Sequence, residues 1–282
     1  MSGTTHHLLR FADGGALELG PRSRVMGIVN VTPDSFSDGG RFDSVQQVVD
    51  TASRMVQAGA DLLDIGGEST RPGATPVEAT QESDRVLPII ESLTRDVDVR
   101  LSIDTRRADV ARQALDAGAA IVNDVSSLAD PGMLPLIVDR RVPVVLMHMR
   151  GKPETMQRST HYDDVVGEVT DYLRERVAYA VAGGVSSDKI VVDPGIGFGK
   201  GLAGNLEVLR QLTSLRELGH PILIGASRKA FIGEILDTPV TERLVGSLAV
   251  AVWAATHGAH IVRAHDVAET VRALRVIDAL RG

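Results

Sequence analysis

The sequence predicts an α/β fold, a single (β/α)8 barrel of the TIM type preceded by an N-terminal β-hairpin. Three observations carry the prediction. Eight short β-branched runs recur along the chain, helical patterns fill the gaps between them, and several runs are apolar on both alternating faces, as strands of a doubly covered parallel sheet are. The 282 residues are 43% hydrophobic, enough for a large core. Length alone suggests about two domains, yet barrels of this kind often exceed ~250 residues as one. No composition break or internal repeat divides the chain, so residues 1–282 are read as one domain, with the hairpin at about 8–20 and the barrel at about 24–280. A doubly wound open sheet is the alternative, but it would usually show fewer strands.

In chain order, Leu8–Leu19 carries Asp13-Gly14-Gly15 at its middle and reads as the hairpin. The strand runs are Arg24–Thr32, Asp61–Gly67, Val99–Thr105, Ala120–Ser126, Pro143–Met149, Ile190–Gly197, Pro221–Ser227 and Ala259–His265. Val45–Ala58 sets Val45, Val48, Val49, Ala52, Met55 and Val56 on one helical stripe, and Gly59 stops it. Arg107–Ala117 stops at Gly118 in the same way, and Val165–Ala182 at Gly183-Gly184. Val267–Leu280 supplies the last of eight expected helices. After the first strand, Pro33 is followed by a polar stretch to Gly40 with Phe36 at its centre. In a barrel of this class the loops after the strands form the working face, so this long loop reads as a lid.

Composition excludes several functions. The formal charge is −7 and the pI about 5.6, without a block of like charges, which argues against a nucleic-acid binder. There is no cysteine, hence no disulfide, thiolate metal site or cysteine nucleophile. MSGTTHHLLR lacks the features of a signal peptide. Leu244–Val262 is free of Asp, Glu, Lys and Arg for 19 residues. Its His257, Gly258 and His260 and its alanine-rich pattern read as a buried helix plus a buried strand, with no membrane span. A soluble, cytoplasmic protein is expected.

The strand ends collect polar groups. In order they present Asn30; Gly66–Gly73 with Glu68, Thr70, Arg71 and Pro72; Asp104; Asn123-Asp124; Met147-His148; Asp193 with Phe198 and Lys200; Ser227-Arg228-Lys229; and Arg263-Ala-His265. One such residue would be explained as a helix cap. All eight strands doing it points to a site. Buried Asp104 and Asp193 need partners, while Lys229, Arg263 and His265 converge where this fold commonly binds phosphate. An acceptor-rich side (Asp104, Asn123, Asp193) facing a cationic side suits a flat ring with N–H donors joined to a phosphate-like tail. Gly195–Gly201, GIGFGKG, is not a Walker A loop, because Gly201 follows Lys200 where Ser or Thr is needed, and it fails the dinucleotide pattern. It reads as a tight loop presenting Phe198. The histidines form no zinc site by spacing.

GIVNVTPDSFSDGG, DIGGESTRPG, SIDT, NDV, DPGIGF, GASRK and the R-x-H-D of the eighth strand resemble the dihydropteroate synthases, the pterin-binding enzymes of folate biosynthesis. The likeness runs from about Arg24 to the C-terminus, in order. It implies a homodimeric barrel that joins p-aminobenzoate to 6-hydroxymethyl-7,8-dihydropterin pyrophosphate and releases pyrophosphate. By motif, Asp104, Asn123, Asp193 and Lys229 would bind pterin, with Met147 and Phe198 lining the pocket. Asn30, Arg263 and His265 would bind pyrophosphate, Asn30 through Mg²⁺. Asp34, Phe36, Thr70, Arg71, Pro72 and Ser227 would complete the p-aminobenzoate site. Asp104, Asp193, Lys229, Arg263 and His265 are the catalytic set so implied, for a dissociative substitution that needs no general base. Ala230 departs from the serine that many members carry after the lysine, which bears on p-aminobenzoate affinity and on the response to sulfonamides. A pterin-binding methyltransferase is the rival enzyme, but it would have no use for the cations that meet a diphosphate. A non-catalytic pterin carrier would gain little from a lid.

Overall fold

The computed structural model describes residues 5–20, 22–31, 41–69, 76–151 and 155–281, the side chains of 41–44 excepted. The lid reading of Thr32–Gly40, with Asp34 and Phe36, and the expectations for Thr70, Arg71 and Pro72 lie outside the described residues.

Strands β1 (His7–Arg10) and β2 (Ala16–Leu19) form an antiparallel hairpin. The barrel strands are β3 (Arg24–Asn30), β4 (Leu62–Gly66), β5 (Arg100–Asp104), β6 (Ile121–Asp124), β7 (Val144–Met147), β8 (Ile190–Asp193), β9 (Leu223–Ile224) and β10 (Ile261–Ala264). They pair in parallel in the order β8-β7-β6-β5-β4-β3-β10-β9. A Val192–Ile222 bridge and the bond from Val192 N–H to the Pro221 carbonyl (2.9 Å) close the ring. The described helices are α1 (Arg41–Gln57), α2 (Ala79–Asp96), α3 (Ala108–Asp116), α4 (Met133–Arg140), α5 (Val165–Ala182), α6 (Leu202–Arg210), α7 (Ala230–Leu236), α8 (Leu244–Thr256) and α9 (Val267–Arg281). The expectation of eight helices is therefore corrected to nine among the described residues. Asp237 in the left-handed region (φ 51°) ends α7, Pro239 follows, and a second helix forms before β10. The strands also end sooner than the apolar runs suggest. The seventh keeps only two residues, because Pro221 cannot donate to a ladder and its run soon gives way to the loop.

Side chains alternate along each strand. Val25, Leu63, Ile65, Leu101, Ile103, Val122, Val144 and Ile190 pack outward against the helices in the main core. Met26, Leu62, Ile121, Val145, Val191, Leu223 and Ile261 point into the barrel and form a second core with Leu9, Phe11 and Leu19 of the hairpin. The hairpin thus stoppers the amino-terminal end of the barrel, and the opposite mouth is left to the polar strand ends.

His260 ties this stopper down. Its Nδ1 accepts from Ile222 N–H (3.1 Å), so its Nε2–H donates to the Thr5 carbonyl (3.1 Å). The ring packs edge-on to His7, and burial first, then nearby His7, pushes its pKa down to about 4. A histidine with a folded pKa below its unfolded value of about 6.5 stabilises fully above that value. The contribution is lost as pH falls from about 6.5 toward 4, by about 1.4 kcal/mol for each pH step of one. Urea unfolding across this range should therefore reveal a decline in stability of about 3 kcal/mol from this residue. His260→Gln should lower stability at neutral pH and flatten that decline.

Candidate active site in the barrel mouth

One step toward the carboxyl ends from the inner apolar layer, the same alternation points Asp64, Ser102, Asn123, Met147, Asp193 and Arg263 into the barrel. Register aligns them across the sheet: Asp64 beside Ser102, Asp104 beside Asn123, Met147 beside Asp193. Asp64 is fully buried. Its Oδ2 accepts from Arg263 Nε (2.6 Å) and Asn123 Nδ2 (2.9 Å), while Arg263 Nη2 donates to Asp104 Oδ2 (2.8 Å). The expected separation of an acidic from a cationic side is therefore corrected. Arg263 sits between two carboxylates, because a buried guanidinium without counter-charge would be prohibitively costly.

The second oxygens, Oδ1 of Asp64 and Oδ1 of Asp104, are buried and find no hydrogen-bond partner among the described residues. Burial, helped by the charge of Asp64 and opposed by Arg263, raises the pKa of Asp104 above the usual carboxylate range. Burial also raises Asp193, against Lys229 and the Gly195 N–H that its Oδ1 accepts (2.7 Å). Arg263 stays protonated, since its two carboxylates outweigh burial. Lys229 is pushed down to about 8 by burial, with Asp193 opposing. Its Nζ donates to the Ile196 carbonyl and lies 4.3 Å from the centre of the Phe198 ring. His265 and Ser227 are joined at the ends of neighbouring strands. Ser227 Oγ accepts from His265 N–H (3.2 Å) and lies 3.0 Å from Nδ1. Asn30 is exposed at the end of β3. Ala230 is exposed at the first residue of α7.

The structure therefore brings together Asp104, Asn123, Asp193, Lys229 and Arg263, adds Phe198 through Lys229, and sets Met147 in the same layer. Two buried groups were missed by the sequence reading. Asp64 was hidden in the apolar run Leu62-Leu63-Asp64-Ile65, although it shares the inward parity of Leu62. Lys200 was read only as a loop residue, yet its side chain is fully buried. Beside the mouth, Glu68 accepts from Arg106 (3.1 Å), Arg107 (3.2 Å) and Val77 N–H (3.2 Å), and Arg107 also bonds Glu82. Despite burial, these arginines hold Glu68 below its usual value, whereas burial raises Glu82.

Comparisons with known proteins meet this geometry. The family model described as pterin binding enzyme matches residues 26–265. The chain is 47% identical over 269 residues to the dihydropteroate synthase of Escherichia coli (strain K12), covering 95% of each. The Xanthomonas albilineans dihydropteroate synthase solved with 4-aminobenzoic acid superposes with TM-score 0.92 at 48% identity, over 99% of each chain. The same organism's enzyme in complex with 7,8-dihydropteroate gives TM-score 0.86 at 46% identity, over 94% of this chain and 96% of that one. The motifs, the barrel with its polar mouth and these likenesses agree, and the chain belongs to the pterin-binding enzymes, in the dihydropteroate synthase family.

Proposed function

We propose that this chain condenses 6-hydroxymethyl-7,8-dihydropterin pyrophosphate with p-aminobenzoate, giving 7,8-dihydropteroate and pyrophosphate. The observation that carries the reading is the buried layer Asp64, Asp104, Asn123, Asp193 and Arg263, with its two carboxylate oxygens left without donors. A pterin edge bears amino and amide N–H groups that suit such acceptors. Asp104, Asn123 and Asp193 would take that edge, Lys229 and Phe198 one face and rim of the ring, and Met147 the floor.

The leaving diphosphate would meet Arg263, whose Nε and Nη2 are committed to carboxylates and whose Nη1 remains as a donor. With Nδ1 turned to Ser227 Oγ, His265 would offer Nε2–H to the same charge. Fixed cations that meet growing negative charge lower the barrier to departure. The electron-rich pterin then delocalises the cation left on its methylene, and the neutral arylamine captures it without a general base. Exclusion of water protects that cation, the role assigned from the sequence to the segment with Asp34 and Phe36 and to Thr70, Arg71 and Pro72.

Among the described residues no group of three His, Cys, Asp or Glu could hold a metal. Asn30 does fit Mg²⁺, as one hard amide oxygen at the mouth, since this ion usually takes few protein ligands and completes its shell with phosphate and water. When bound there it would neutralise diphosphate charge. A homodimer is part of the same reading. Val245 and Trp253 on α8 and Val276 and Leu280 on α9 are exposed apolar side chains on adjacent helices, and sedimentation should return twice the chain mass. No described helix is long and apolar enough to cross a membrane; a cytoplasmic location accords with the substrates.

The test is incubation with pterin pyrophosphate, Mg²⁺ and p-aminobenzoate, assayed for diphosphate and dihydropteroate. Release of both in equal amounts supports the reading. Diphosphate release that ignores p-aminobenzoate, or no release, rejects it.

A further inference from the structure

Besides the backbone bonds from Phe198 N–H to Gly195 O (3.1 Å) and from Asn205 N–H to Gly201 O (3.0 Å), side chains hold the loop Gly195–Gly201 at every carbonyl. Its seven consecutive carbonyls accept in turn from Lys200 Nζ, Lys229 Nζ, Gln157 Nε2, Lys200 Nζ, Tyr162 Oη, and Asn205 Nδ2 twice. Three glycines make the path possible, with φ values of 68° at Gly195, 84° at Gly197 and 63° at Gly199. A Cβ at Gly195 would lie 1.9 Å from the His148 carbonyl, so no other residue fits there.

Lys200 is the centre of this arrangement. Its ammonium is buried and donates to Gly195 O (2.9 Å), Phe198 O (3.1 Å) and His148 Nδ1 (2.9 Å). Burial, with Asp193 opposing, pushes the pKa of this amine down to about 7. In its ammonium form it has three protons and no acceptor, so His148 then presents a bare Nδ1, and burial keeps that ring neutral with a pKa pushed down to about 3. Burying a lysine on neutral acceptors is costly, and a loop needed only as a connection would not carry that cost. What the arrangement secures lies on the outer side of the loop: the Ile196 carbonyl that receives Lys229, and the Phe198 ring beneath the Lys229 ammonium.

We propose that Lys200 is a positioning residue for the pterin site, fixing the loop so that Phe198 and Lys229 take their places against the heterocycle. The inference rests on the pterin reading of the mouth. Lys200 touches no substrate in it and acts through Lys229 and Phe198.

The test is Lys200→Met, which keeps the apolar stem and removes the three donors. Calorimetry should give a Kd for pterin pyrophosphate raised about 10- to 100-fold, the range expected for loss of charge-assisted bonds. The KM for p-aminobenzoate and kcat at saturation should change less than about threefold. In a double-mutant cycle with Lys229→Met the two effects should be non-additive, because one residue works through the other. A folded Lys200→Met protein with wild-type Kd, or with fewer active sites and unchanged KM values, overturns the proposal, as does additivity in the cycle. Should Lys200→Met fail to fold, His148→Leu removes one of the three acceptors and should raise the same Kd about three- to tenfold; an unchanged Kd overturns the proposal there too. If the unaltered protein binds no pterin pyrophosphate, the pterin reading fails. If it binds normally and only the variants are silent, the role of Lys200 alone fails.

Discussion

Arg263→Ala is expected to lower kcat by about 10- to 150-fold, the loss of one charge-assisted hydrogen bond of about 1.5–3 kcal/mol to a departing diphosphate. Such a bond strengthens as charge leaves, so turnover should suffer more than the Kd for pterin pyrophosphate. The ion pairs with Asp64 and Asp104 add a second effect. Removing one partner leaves two buried carboxylates uncompensated, which typically costs ~3–5 kcal/mol. Activity must therefore be expressed per pterin-binding site. Arg263→Lys separates the two effects, since it keeps the charge and loses the planar fork that spans two carboxylates. A wild-type kcat per site in Arg263→Ala would remove this residue from the chemistry.

Asp64→Ala should destabilise the mouth about as much as loss of Arg263. The carboxylate has no exposure, pairs with Arg263 and accepts from Asn123. Its loss leaves Asn123 Nδ2 without its acceptor and Arg263 with Asp104 alone, an expected cost of about 3–5 kcal/mol in urea unfolding. Pterin pyrophosphate binding should weaken with it, because Asn123 and Arg263 lose their orientation. Asp64→Asn keeps the shape and one acceptor oxygen and should recover part of the stability. It also removes one of the charges that raise Asp104, so pterin affinity should respond to pH over a lower range than in the unaltered protein. A loss of less than about 1 kcal/mol for Asp64→Ala would mean that water reaches the pair and that no buried layer organises the mouth.

The barrel was legible because two periodicities are written into the chain. Runs apolar on both faces, such as Val144–Met147, and glycine stops after the helices follow from local geometry, and eight such repeats leave few ways to close a sheet. The polar strand ends were legible for a related reason: at their carboxyl ends all eight runs close on polar residues such as Asp104 and Arg263. What was not legible depended on distance in sequence. Asp64 and Arg263 are 199 positions apart, so nothing local shows that one neutralises the other, although the inward parity of Asp64 was available. Lys200 lay in a motif rejected for nucleotide binding. Its role is set by carbonyls turned inward by positive-φ glycines and by His148, 52 positions earlier. The split of α7 from α8 was obscured because a seven-residue helix carries little periodic signal.

The hairpin stopper has a bearing on how the chain is made. Leu9 and Phe11, which precede every barrel strand, share a cluster with Ile261 of β10, and Thr5 bonds to His260 across 255 positions. No partial chain can complete that cluster. A nascent chain short of β10 must carry its apolar hairpin unsatisfied, so the cluster closes only once β10 has been made, and long-range closure of this kind is slow.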